Sequence, residues 1–290
     1  MVAETTFIKP LKSQVKLWEK LRQGKYRRQE GLFLAEGFKV VQELLNSDWE
    51  SSAILVSEKK VAAWKDFLCS VSKKTQIYQL TESDLIKLSQ DKTPEGIMAL
   101  VVIPRCPDMT EWLAREDAGH LLLLWRINNP NNLGAVIRSA HWFGIKKILL
   151  SAGSVDFTNA KVVRSTMGSL FHVTVVSEVD FAETLPEIKE HYFMAGSHHR
   201  QGVEPHPCMK KTAILLGSES HGLPEALLRI MDETWCISGA DTLDSLSLPQ
   251  AAAIMMYECV KPSGFGNEVE KCMRISKSLQ QRETDRTQKK

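Results

Sequence analysis

The chain is predicted to be an α/β protein in two parts, a small N-terminal α/β domain and a larger C-terminal one. Three observations predict this. Short apolar runs of strand length alternate with segments of helical periodicity along most of the chain. One stretch with two prolines and mixed charge, residues 104–119, interrupts that alternation. The length, 290 residues, exceeds the usual single domain, and 43% apolar residues suffice for packed cores. The expected boundaries are 1–104 for the first domain, 105–119 for a linker and 120–262 for the second domain. Residues 263–290, charged and polar, are expected to form a disordered tail.

In the first domain, residues 12–23 suit a basic amphipathic helix with Val15, Leu17, Trp18 and Leu21 as its apolar members. Residues 26–31 read as a turn and 32–35 as a short strand. A helix over 37–46 carries Phe38, Val41, Leu44 and Leu45 on one stripe. Strands follow at 53–56, 76–80 and 96–103, with helices at 60–71 and 81–90. This alternation predicts a mostly parallel sheet.

The second domain opens on Leu121–Ile127, an apolar run typical of a strand covered on both faces. A loop at 128–132 leads to a helix over 133–143 with Leu133, Val136, Ile137 and Ala140 as its core stripe. Arg138 and Trp142 fall off that stripe, Trp142 as a candidate interface residue. Strands at 147–150, 173–176, 192–196, 213–216 and 233–238 alternate with helices at 159–170 and 181–190, a helix opening at Pro224-Glu225, and a last helix after Ser247. Ser247 and Gln250 have the spacing of a capping box.

Composition excludes several functions. No apolar run reaches 18 residues, so no membrane span is expected, and the N-terminus lacks a signal-peptide core. The six cysteines contain no C-x-x-C pair; Cys69, Cys236 and Cys259 lie in apolar segments and are expected to be buried thiols, which suits a reducing, cytoplasmic setting. His198, His199, His206 and Cys208 fit no standard zinc spacing, and no metal is expected. There is no G-x-G-x-x-G, no Walker A sequence and no recommended Ser-His-Asp arrangement. The net charge of +2 is uninformative, but residues 9–28 set eight basic residues against Glu19 alone. That run is either a solvated face or a phosphate-contacting one.

Two strand ends each deliver a small-residue turn into a helix start: Gly217-Ser218-Glu219-Ser220-His221-Gly222, and Asp244-Ser245-Leu246-Ser247. Ligands of α/β proteins gather at such strand ends, where helix N-termini and glycine turns expose N–H groups. Together with Asn132-Leu-Gly-Ala-Val-Ile-Arg138, these segments resemble the three motifs of the SpoU (TrmH) family of RNA ribose 2′-O-methyltransferases, within the SPOUT superfamily. Lys161-Val-Val-Arg164-Ser also looks familial, and residues 25–46 are similar to the family's N-terminal substrate-binding domain. The resemblance covers about 260 residues.

The resemblance implies a trefoil-knotted C-terminal domain, S-adenosylmethionine as methyl donor, an RNA substrate (ribosomal or transfer RNA) and a homodimer. It implies catalytic roles for Asn132, Arg138, Glu219 and Ser245. It implies donor contacts at Gly217, Ile237, Leu246 and Ser247. Lys25, Arg27, Arg28 and Arg164 are the expected RNA contacts. The sequence departs from the family at Ser247, where Asn is usual. That departure leaves a second function class open, a catalytically silent RNA-binding or assembly protein that keeps the fold.

Overall fold

The structure, a computed structural model, describes residues 6–72, 75–115, 119–240 and 245–262. The first domain comprises β1 (Phe7–Ile8), α1 (Lys12–Lys20), α2 (Gly24–Glu30), β2 (Leu32–Glu36), α3 (Phe38–Leu45), β3 (Ser51–Ser57), α4 (Lys65–Ser70), β4 (Gln76–Leu80), α5 (Glu82–Leu88) and β5 (Ile97–Val102). Its sheet runs β1-β4-β3-β5-β2. β4 is parallel to β1 and β3, but β5 pairs antiparallel with both β3 and β2. The sheet is therefore mixed, where a mostly parallel one was expected. Side chains alternate between two cores as the period of a strand requires. Phe33, Ile54, Val56, Ile97 and Ala99 pack with Val41 and Leu44 of α3. Leu34, Leu55, Met98 and Leu100 pack with Val15, Trp18 and Leu21 and with Leu85 and Leu88 of α5. Residues 26–30 of the turn expected at 26–31 are helical, part of α2, and the physical reason is one side chain: Arg27 is drawn inward.

The second domain comprises α6 (Met109–Ala114), β6 (Leu121–Leu124), α7 (Pro130–Trp142), β7 (Lys147–Ser151), α8 (Ala160–Ser165), a 3-10 turn at Ser169–His172, β8 (Thr174–Val179), α9 (Phe181–His191), β9 (Phe193–Ser197), β10 (Thr212–Leu216), α10 (Glu225–Leu228), β11 (Glu233–Trp235) and α11 (Leu248–Val260). All pairings in its six-stranded sheet, ordered β11-β9-β10-β6-β7-β8, are parallel. Leu121 to Leu124 are wholly buried because helices cover both faces. α7, α8 and α11 supply one layer, while α6, α9 and α10 supply the other. The chain runs outward from β6 through β7 to β8, then returns to the other side of β6 with β9 and places β10 between β9 and β6. The switch point of the topology thus lies between β6 and β10, where strand ends diverge and ligands bind in open α/β sheets.

Two expectations change here. Residues 109–114, inside the stretch expected as a linker, form α6: Asp108 caps it by accepting from the Glu111 amide, and Trp112 and Leu113 are buried against the sheet. Cys259 is buried, but Cys69 is exposed and Cys236 half-buried, because α4 is short and β11 ends at Trp235. The segments expected as a disordered tail and as the Asp244 part of the third motif lie outside the described residues.

The two domains share one core. Phe33 and Leu44 belong to the same apolar cluster as Phe171, and Trp49 meets the Phe171 ring edge-on at 5.4 Å. Arg27, only 4% exposed, bridges the junction. Its Nε donates to Thr158 Oγ1 at 2.9 Å, its Nη2 to Asp156 Oδ2 at 2.6 Å and its Nη1 to the carbonyls of Leu21 and Arg22. Arg164 pairs with Asp91 at 2.6 Å and His172 with Glu43 at 2.9 Å.

Candidate active site

Asn129 and Pro130 start α7 three residues earlier than the apolar stripe suggested. Asn129 Oδ1 accepts from the amides of Asn131 and Asn132, and Pro130 stands at the first helical position, where no N–H is needed. Asn132 therefore sits in the first turn of a helix rather than in a loop, at the carboxyl end of β6. Gly134, two residues further, lets α7 press against α8: a methyl there would collide with Ser165. Arg138 follows on the outer side of α7. It is exposed and forms no hydrogen bond or ion pair with another described residue.

The turn after β10 folds back on itself through paired hydrogen bonds between Ser218 and Gly222. Gly217 is buried, and a side chain there would run into the backbone of Gly222 and Leu223. The turn presents Glu219, whose Oε1 accepts from Asn132 Nδ2 at 2.9 Å. Two residues 87 positions apart are thereby joined across the switch point.

The third segment comes to the same edge by another route. α11 runs back along the sheet, so that near its end the Cys259 carbonyl accepts from the Cys208 amide and the Cys259 thiol approaches His120, which precedes β6. Its start, with Ser245, Leu246 and Ser247, thus lies toward the carboxyl ends of the strands, beside α7. All three residues are exposed. Ser247 occupies the cap position of α11, but its hydroxyl makes no capping bond. The expected capping box with Gln250 is therefore not formed. Ile237 packs against the same core cluster as Leu248. The backbones of Ile237 and Leu246 make no hydrogen bond to other described residues, so their donors and acceptors are available to a ligand.

Of the expected RNA contacts, Lys25 and Arg28 are exposed on α2, and Lys9, Lys12, Lys16, Lys20 and Arg22 are exposed with them. Arg27 is not: its guanidinium is consumed inside the junction, and that expectation is corrected. Arg164 is 58% exposed at the side chain but already engages Asp91. Burial works against ionisation of Asp156, yet hydrogen bonds from Thr158 and the charge of Arg27 outweigh it and hold that carboxyl below the usual range. His206 pairs with Glu233, which raises the imidazole above its ordinary range. No group of three potential metal ligands forms among the described residues.

A parallel sheet with a switch-point site joining α7 to the turn after β10 defines a class, and comparison with known proteins gives it a family. The profile of the SpoU rRNA Methylase family matches residues 119–257, and that of the MRM3-like substrate binding domain matches residues 12–99. The chain belongs to the SpoU family. It is 31% identical, over 84% of its length and 94% of the relative's, to the 23S rRNA (guanosine(2553)-2′-O)-methyltransferase RlmP of Bacillus subtilis. It superposes on a TrmH-family protein from Porphyromonas gingivalis with a TM-score of 0.74 at 27% identity, covering 87% of this chain and 98% of that one. The fold is also that of the SpoU methyltransferase AviRb from Streptomyces viridochromogenes, solved in complex with AdoMet: TM-score 0.77, 23% identity, 89% and 100% covered.

Proposed function

We infer that this chain is an S-adenosylmethionine-dependent methyltransferase that modifies a ribose 2′-hydroxyl of ribosomal RNA. The observation that carries the reading is the Asn132–Glu219 hydrogen bond across the switch point. It ties the helix bearing Arg138 to the glycine turn that would cradle the donor. The residues fit that donor: Gly217 leaves no room for a side chain, and Ile237 and Leu246 offer unspent backbone groups. Bound there, the donor supplies an activated methyl group; the protein supplies alignment and charge.

Arg138 stays protonated at any physiological pH. It therefore acts by favouring the ionised 2′-oxygen electrostatically and by gripping the adjoining phosphate, not by accepting a proton. Asn132 orients the head of α7 and Glu219 the glycine turn. Ser245 and Ser247 present hydroxyls at the start of α11, each able to donate or accept one bond. Structured RNA docks on the exposed basic face of α1 and α2, Lys25 and Arg28 included, which reads phosphates and shape.

The working unit is a homodimer. Trp142 is 84% exposed, and Ile254 and Tyr257 are also exposed. Phe143 and Tyr257 meet at 6.0 Å and bring the far ends of α7 and α11 together. Arg138 lies one helical turn before Trp142 on the same face, so a second copy covering that face meets Arg138. The chain acts in the reducing cytoplasm, a reading supported by five described cysteines that form no disulfide.

The test is methyl transfer from tritiated S-adenosylmethionine to a 23S rRNA transcript, followed by digestion to nucleosides. The expected product is a 2′-O-methylnucleoside. Label on a base would overturn the chemistry. RNA binding without donor binding would favour the silent reading.

A further inference from the structure

A second cation stands at the same strand edge, and the motifs do not include it. Arg126 is the second residue after β6, three residues before the cap of α7. Its backbone is in the left-handed region (φ 49), which a residue with a Cβ rarely adopts. Among the described residues only Met167 and Glu178 share that property with it, apart from glycines. The conformation is held from both sides. The Trp125 amide donates to the Leu216 carbonyl at 2.9 Å, the Arg126 amide to Ser151 Oγ at 2.8 Å, and the Val155 amide to the Ile127 carbonyl at 2.7 Å. The surroundings thus over-determine a backbone shape that glycine would satisfy more easily.

What the arginine adds is its side chain. It is exposed, and no carboxylate among the described residues pairs with it. Its guanidinium lies over the Trp125 ring, 5.0 Å from the centroid. Trp125 is itself braced against the fully buried Phe181 at 5.9 Å. Stacking of this kind fixes the plane of the fork while leaving its N–H donors free. The Leu216 bond places Arg126 beside the start of the turn that carries Gly217 and Glu219.

We propose that Arg126, pre-oriented on Trp125, is an RNA-contacting residue that binds a backbone phosphate of the substrate at the rim of the active site. This rests on the reading of the chain as an RNA methyltransferase and adds a contact distinct from the basic face of α1 and α2. The left-handed backbone is the strain expected where a functional side chain overrides conformational preference.

The experiment compares wild type with Arg126→Gly and Arg126→Gln. It measures binding to a 23S rRNA transcript over a salt series, S-adenosylmethionine affinity by calorimetry, and the melting temperature. The glycine variant should melt at or above the wild-type temperature and keep its donor affinity. Its RNA affinity should fall about tenfold, as for loss of one charge-assisted bond. The slope of log affinity against log salt should shrink by about one. Arg126→Gln, which keeps a side chain on the strained backbone, should lose RNA affinity equally. Unchanged RNA affinity in either folded variant would overturn the proposal and reduce Arg126 to a turn residue. Failure of the wild-type protein to bind the transcript would instead sink the functional reading beneath it.

Discussion

The domain junction and the strand-edge site use the same chemistry, arginines and carboxylates, in opposite ways. At the junction every donor of Arg27 that matters is spent: Asp156, Thr158 and two backbone carbonyls absorb it, and 4% of the residue remains exposed. At the site, Arg138 and Arg126 are exposed with no carboxylate partner among the described residues, and Ser247 caps nothing. A buried charge must be fully paired to be tolerated. A charge meant for a substrate must be left unpaired and kept wet until the substrate arrives. The contrast therefore separates arginines spent on holding the shape from arginines left exposed and unpaired among the described residues, which looked alike in sequence.

The largest effect expected from breaking this contrast is at Arg27. Arg27→Ala leaves Asp156 half-buried without its cation and should cost about 3 kcal/mol of stability, read as a lower denaturant midpoint. A loss confined to RNA affinity, with stability intact, would mean Arg27 belongs to the other class. A smaller effect concerns pH. The Asp156 carboxyl is held below its usual range in the folded protein. Its contribution is therefore present above the unfolded value of about 3.9 and is lost as pH falls through the folded one. The gap in melting temperature between wild type and Asp156→Asn should be widest near neutrality and should close below about pH 4. A constant gap across that range would show that hydrogen-bond geometry, not ionisation, holds the junction. The smallest effect on stability is at Trp142. Trp142→Ser should change the monomer by no more than about 0.5 kcal/mol, since the side chain is exposed. It should shift sedimentation from dimer toward monomer, and an unchanged dimer would place the interface elsewhere.

Much of the second domain was legible in the sequence, for a definite reason. Strands covered on both faces, such as Leu121–Leu124, are unbroken apolar runs, and the helices between them keep a regular stripe. The grouping of Asn132 and Glu219 as site residues came from family motifs; their hydrogen bond was not foreseen, because contacts across 87 residues leave no local periodicity. The first domain was less legible. Parallel and antiparallel neighbours leave the same apolar run in a strand covered on both faces, so the reversal at β5 was hidden. Helix α2 was missed because its decisive contact, Arg27 to Asp156, lies 129 residues away. Asp108 ahead of Trp112-Leu113 was a local signal for α6 that the flanking prolines masked.

The proposed role keeps Arg138 unpaired for the reaction and gives it no part in the fold. It is tested by measuring melting temperature and single-turnover methyl transfer to the 23S rRNA transcript on one preparation of Arg138→Ala. The account predicts an unchanged melting temperature with a rate at least about a hundredfold lower. A variant that transfers methyl groups at the wild-type rate, or that loses activity only as far as it loses folded protein, would contradict it.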